Sequence, residues 1–213
     1  CQPGMHHYDG RLDEFSELGI SQYTATLQAY RARLDRMARQ ALSPEVAAYV
    51  TWAGSWVDDQ LQQFGQTNIW RSCPEVYLLP PVRALVRLRH SVHDTPAQRL
   101  GSSVAILSEL PGLLAAMRGN LTNLSEPRRR YAGQILEMLI TSLETDLAEW
   151  AKEAGGVDIS LVEEFRAAST LASKDLRQTL AWLERQPAER EDPEPAGVQV
   201  LLNWLNRMSG LDL

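Results

Sequence analysis

The chain has 213 residues, 44% hydrophobic and 23% charged, with a net charge of −6. That composition supports a folded core and excludes wholesale disorder, and the acidic balance argues against nucleic acid as a partner, because phosphate binding needs a basic surface. Two cysteines, Cys1 and Cys73, are too few for a disulfide framework, and apolar runs such as Val76 to Leu79 and Leu136 to Ile140 fall far short of the ~20 residues that span a bilayer, so a soluble chain is expected.

The chain starts at Cys1, with no signal peptide in the sequence. A mature bacterial lipoprotein also starts at a cysteine that carries its lipid; an arbitrary fragment end is the alternative. His6-His7-Tyr8-Asp9 then sets ionisable groups ahead of Gly10, which suits either a substrate- or metal-facing loop or a tight N-terminal turn. Helical period follows. Ile20, Tyr23, Leu27, Tyr30, Leu34 and Met37 recur at steps of three and four, which predicts a helix of about six turns capped by Ser16. Ser43-Pro44-Glu45 opens the next helix with a capping hydroxyl, a first-turn proline and an acid. Its apolar stripe is Val46, Val50, Ala53, Trp56, Val57, Leu61 and Phe64, and Gly65 ends it.

The middle is more broken. Trp70 to Leu79 reads as a loop leading into a short helix, interrupted at Pro80-Pro81, where a helix through Val92 restarts. Thr95-Pro96 opens a further helix that Pro111 kinks or restarts, running to about Leu121. Ser125 caps a long segment, with Glu126 and Pro127 just inside, whose stripe runs from Tyr131 through Ile135, Leu139, Leu143 and Leu147 to Trp150, widened by Leu136, Met138 and Ile140 and stopped by Gly155-Gly156. Leu161, Phe165, Ala168, Ala172, Leu176, Leu180 and Leu183 mark another helix. Gln186 to Gly197 is rich in proline and acid and reads as a solvated loop, before a last short helix with Val198, Leu201, Leu202, Leu205 and Met208. No segment alternates like a strand. The expected fold is all-α, an antiparallel multi-helix, bundle-like lobe, with residues 1–213 forming a single helical domain.

Chemistry is sparse. A zinc peptidase helix needs His-Glu-x-x-His, and none of His6, His7, His90 or His93 is followed by Glu. His90 and His93, beside Asp94, lack a third ligand as a metal set; the alternative is a polar helix end with imidazoles near the last carbonyls. Cys1 as an N-terminal nucleophile would require a layered α/β scaffold. Cys73 suits a buried small hydrophobe. Adjacent helical residues point about 100° apart, so Asp58-Asp59 and Glu163-Glu164 read as solvated faces and not as carboxylate dyads. Arg128-Arg129-Arg130 is too short a basic run to mean nucleic acid. Trp52, Trp56, Trp150, Trp182 and Trp204 are expected to pack in the core or between helices. Asn120-Leu-Thr122 and Asn123-Leu-Ser125 match a glycosylation pattern formally. There is no phosphate loop and no nucleophile elbow, so no catalytic residue and no cofactor is assigned to this chain.

The motif order resembles the bacterial family known as "domain of unknown function 885". The likeness begins at Gly4-Met-His-His-Tyr-Asp-Gly-Arg-Leu12, continues through Phe15-Ser16 and Leu42-Ser-Pro-Glu45, and takes in the aromatic Pro-Tyr-Leu segment of Trp70 to Leu79. Arg99-Leu100, Leu107 to Pro111, Asn120-Leu121, Ala181-Trp182-Leu183 and Gly210-Leu-Asp-Leu213 complete it. The resemblance implies the N-terminal helical part of a zinc metallopeptidase-like protein, one wall of a channel for a peptide substrate. The zinc-bearing His-Glu-x-x-His helix would lie in a C-terminal half, on the same or a separate chain. His7, Tyr8 and Asp9 are then the candidates to face the cleft. An extracytoplasmic place, periplasmic or lipid-anchored at Cys1, goes with that implication. The competing expectation is a non-catalytic helical binding or scaffold module.

Overall fold

The computed structural model describes residues 11–122, 124–154 and 159–188. His7, Tyr8, Asp9, Trp204 and the helix expected at 198–208 lie outside the described residues. The fold is all-α, and among the described residues no strand occurs. Two compact units emerge: described residues 16–69 form one, and 11–15 with 70–188 form the other.

The smaller unit is a helical hairpin of α1 (Glu17–Ala38) and α2 (Pro44–Leu61). Both starts follow the expected chemistry. The Ser16 hydroxyl accepts from the Gly19 amide at 3.0 Å, and the Ser43 hydroxyl accepts from the Val46 amide at 3.4 Å, with Pro44 just inside. Ile20 and Leu27 on α1, and Val50 and Val57 on α2, are buried. Polar clamps flank them: Arg31 Nε donates to Asp58 Oδ1 at 2.7 Å, and the Tyr23 hydroxyl donates to Gln60 Oε1 at 3.0 Å. The Tyr23 ring also meets Phe64 edge-on, with centroids 5.3 Å apart. Past Leu61 the helix loosens into a π turn over Gln62–Gln66 that contains Gly65.

The larger unit takes up the chain again at Trp70, within a 3₁₀ turn at Ile69–Arg71, and contains α3 (Glu75–His90), α4 (Pro96–Asn120), α5 (Glu126–Glu144), α6 (Asp146–Ala154) and α7 (Ile159–Arg185). Three boundaries differ from expectation. Glu75 to Leu79 belongs to α3, and α3 runs straight through Pro80 and Pro81. The two prolines forfeit two amide donors, but Tyr77, Leu78, Leu85 and Leu88 on the same helix are almost fully buried, and that burial outweighs the loss. α4 likewise continues through Pro111 without a restart. The long segment expected from Ser125 to Gly155 is two helices, broken at Thr145, whose φ of −119° and ψ of −92° leave the helical region. There the amide of Glu149 bonds to the Thr145 carbonyl at 3.0 Å, so Thr145 closes α5 and opens α6. The break also redirects the stripe. Ala132, Ile135, Leu136, Leu139, Ile140 and Leu143 are buried, whereas Tyr131 and Met138 face solvent.

α4 is the spine of this unit. It starts with a capping box in which Thr95 Oγ1 accepts from the Gln98 amide at 3.3 Å, while Gln98 Oε1 accepts from the Thr95 amide at 2.9 Å. It packs against α3, α6 and α7. Leu100, Ile106, Leu107, Leu110, Leu114 and Met117 are buried. By length and composition alone α4 is apolar enough to cross a bilayer, contrary to the reading of short apolar runs. Its hydrophobic side chains are instead spent on its neighbours within the fold.

Candidate functional site

Buried polar groups of the larger unit converge where the chain enters it. The Tyr77 hydroxyl donates to the Trp70 carbonyl at 2.6 Å and accepts from Asn120 Nδ2 at 3.1 Å. The same Asn120 amide donates to the Phe15 carbonyl at 2.6 Å, and the Phe15 and Tyr77 rings lie 4.9 Å apart. Burial pushes the Tyr77 phenol up to about 12, with the Asn120 hydrogen bond and the charge of Arg71 acting in the opposite direction. The cluster ties residues 11–15, the Trp70 turn, α3 and the end of α4 together. It is a fastening, because its donors and acceptors are spent on one another.

The sequence candidates are placed as follows. His90 is the last residue of α3 and exposed, in keeping with a polar helix end. His93 sits beyond that helix, so the two imidazoles share no helix face, and Asp94 accepts from the Ser91 hydroxyl at 2.5 Å. Among the described residues no three of His, Cys, Asp and Glu converge as a metal set. Cys73 is half-buried, not buried, with the Arg128 guanidinium against its sulfur. The Asp58-Asp59 pair is not a solvated face: Asp58 is engaged by Arg31, and Asp59 is 6% exposed. Glu163 and Glu164 are exposed. Arg129 is paired with Glu126 at 2.6 Å, and Arg128 Nη1 donates to the Ser72 carbonyl at 3.3 Å, so the basic run is structural.

The main departure concerns the tryptophans of the hairpin. Trp150 is buried, but Trp52 is 59% and Trp56 45% exposed. With Tyr30, Leu34, Met37 and Ala53 they line an apolar groove of about 520 Å³ between α1 and α2. Tyr49, 65% exposed, continues the surface along α2. Contiguous exposed aromatic surface of this kind marks an interaction face. A signal for it exists in the sequence: Tyr49, Trp52 and Trp56 step by three and four, a second stripe beside Val46, Val50, Ala53 and Val57. Apolarity alone does not say which stripe a two-helix hairpin buries.

No family model and no curated protein matches the chain. Among solved structures it is similar to one from Shewanella oneidensis described as "a putative lipoprotein of unknown function", with a TM-score of 0.76 and 19% sequence identity. The likeness covers 85% of this chain and 33% of that one. At this identity it carries the fold alone, and this chain spans about a third of the length of the Shewanella protein.

Proposed function

We propose that this chain is the N-terminal helical, channel-forming region of a zinc metallopeptidase-like protein whose His-Glu-x-x-His helix lies outside these residues. The observation that carries the reading is the exposed aromatic face of the α1–α2 hairpin, a surface suited to burial against further polypeptide. The order of the motifs from Gly4 to Leu213 supports it, as does a likeness in fold to a chain about three times as long. On this reading zinc belongs to the part that carries His-Glu-x-x-His, as the family resemblance implies. His7, Tyr8 and Asp9 are the residues assigned to the cleft. The same reading puts the protein outside the cytoplasm, held at Cys1 by a lipid, in line with the description of the Shewanella protein.

One set of measurements tests this. The purified chain should bind no stoichiometric zinc and cleave no casein-type substrate. The reading frame beyond Leu213, or a neighbouring gene, should encode His-Glu-x-x-His, and joining that part to this chain should give zinc-dependent cleavage. Cys1→Ser in the native context should release the protein from the membrane fraction. A frame that ends with no such motif and no such neighbour would overturn the peptidase reading and leave a stand-alone helical binding module.

A further inference from the structure

The larger unit contains a cavity of about 280 Å³ between α6, α7 and the end of α5. It arises from small side chains facing one another: Ala148 and Ala151 on α6, Ser169 and Ser173 on α7. The pocket is half open to solvent, with the exposed Lys152, Arg166, Thr170 and Arg177 among its lining. The floor is apolar, formed by Leu143, Ala151 and Phe165, each almost fully buried. The rim is basic. Lys152, Arg166 and Arg177 line it against the single carboxylate of Glu144, in a protein whose net charge is −6. Glu144 is engaged by Arg177 at 2.5 Å, which leaves the charges of Lys152 and Arg166 without an ion pair among the described residues. Ser169, 8% exposed, adds a buried hydroxyl with no hydrogen-bond partner. A buried hydroxyl of this kind is costly until it is satisfied.

We propose that this cavity binds a small organic monoanion, a carboxylate carrying a short hydrocarbon tail. The tail lies on the Leu143–Phe165 floor, and the carboxylate meets Lys152 and Arg166 at the rim and gives Ser169 an acceptor. Inorganic phosphate fits poorly, because a doubly charged, strongly hydrated ion would be stripped of water against an apolar floor. A volume of about 280 Å³ lies at the small end of ligand pockets, the scale of octanoate. This site is independent of the channel-forming reading and of any catalytic half.

Titration of the full chain with sodium octanoate by calorimetry should show one saturable site that weakens with added salt. Octan-1-ol and octylamine should bind at least about tenfold more weakly. Ala151→Leu, which fills the cavity, should abolish binding. The rim variant Lys152→Gln/Arg166→Gln, with no core contact at stake, should weaken octanoate about tenfold while leaving the unfolding midpoint in place. Trp52→Ser/Trp56→Ser should leave octanoate binding intact. The proposal is overturned by absence of saturable binding at millimolar octanoate, by equal affinity for octanol, by an unaffected rim variant, or by loss of binding in the tryptophan variant.

Discussion

Tyr77 shows how much one hydroxyl organises. It bridges the Trp70 carbonyl and the Asn120 amide, and Asn120 extends the link to Phe15. Tyr77→Phe keeps the ring and its contact with Phe15 but strands a buried carbonyl, which should cost about 1–3 kcal/mol in urea unfolding at pH 8. The pH dependence has a definite sign. The phenol titrates near 10 when unfolded and near 12 when folded, so the fold favours the protonated form. That contribution is complete below pH 10 and is lost as pH rises from 10 through 12. The stability gap between the native chain and Tyr77→Phe should therefore narrow across that window; a constant gap would show that the phenol gains no protection from burial. Helical periodicity does not mark this tyrosine from the other five, since its partners come from positions 15, 70 and 120; only the family resemblance, which takes in Phe15, Tyr77 and Asn120, touches these positions.

At the scale of helices, local chemistry written into adjacent residues was the most readable. Ser16, Ser43 and Thr95 cap their helices as expected, because a cap needs partners only two or three positions away, whereas Ser125 holds the N-cap position of α5 without a side-chain cap hydrogen bond. The breaks were less readable. Pro80-Pro81 signals an interruption locally, and burial of residues brought from elsewhere overrules it. Thr145 carries no such signal, yet the helix ends there. Gly54 offers a test of the hairpin. It is buried in the middle of α2, and an added Cβ would lie 3.7 Å from the Arg31 guanidinium, an ordinary contact. Gly54→Ala should therefore stabilise the chain by up to about 1 kcal/mol in thermal unfolding, by helix propensity alone. Gly54→Leu extends into the guanidinium and should reverse the gain by displacing Arg31 from Asp58. A destabilising alanine would mean that α1 and α2 approach more closely than this.

For the whole molecule, all-α architecture follows from periodicity alone, while the function of its surfaces does not. The candidates His7, Tyr8 and Asp9 lie outside the described residues, and Trp52 and Trp56, expected in the core or between helices, line an open groove. That error is physical: a tryptophan at helical spacing looks the same whether it is packed or waiting for a partner. Trp52→Ser/Trp56→Ser should abolish binding of a hydrophobic dye such as anilinonaphthalene sulfonate while lowering unfolding free energy by no more than about 2 kcal/mol, because each ring is only about half covered. A loss of several kcal/mol would instead make the pair part of the folded core.

The composition of α4 has a bearing on how the chain is made. This helix is apolar enough to sit in a bilayer, and among its main neighbours is α7, which begins at Ile159. During synthesis α4 is complete before α7 exists. At roughly 5–20 residues per second the ribosome needs some seconds to supply it. For that interval α4 lacks one of the helices it packs on, while α3, and then α6, are already made. A holdase present in those seconds would meet an apolar helix whose α7-facing side is still uncovered.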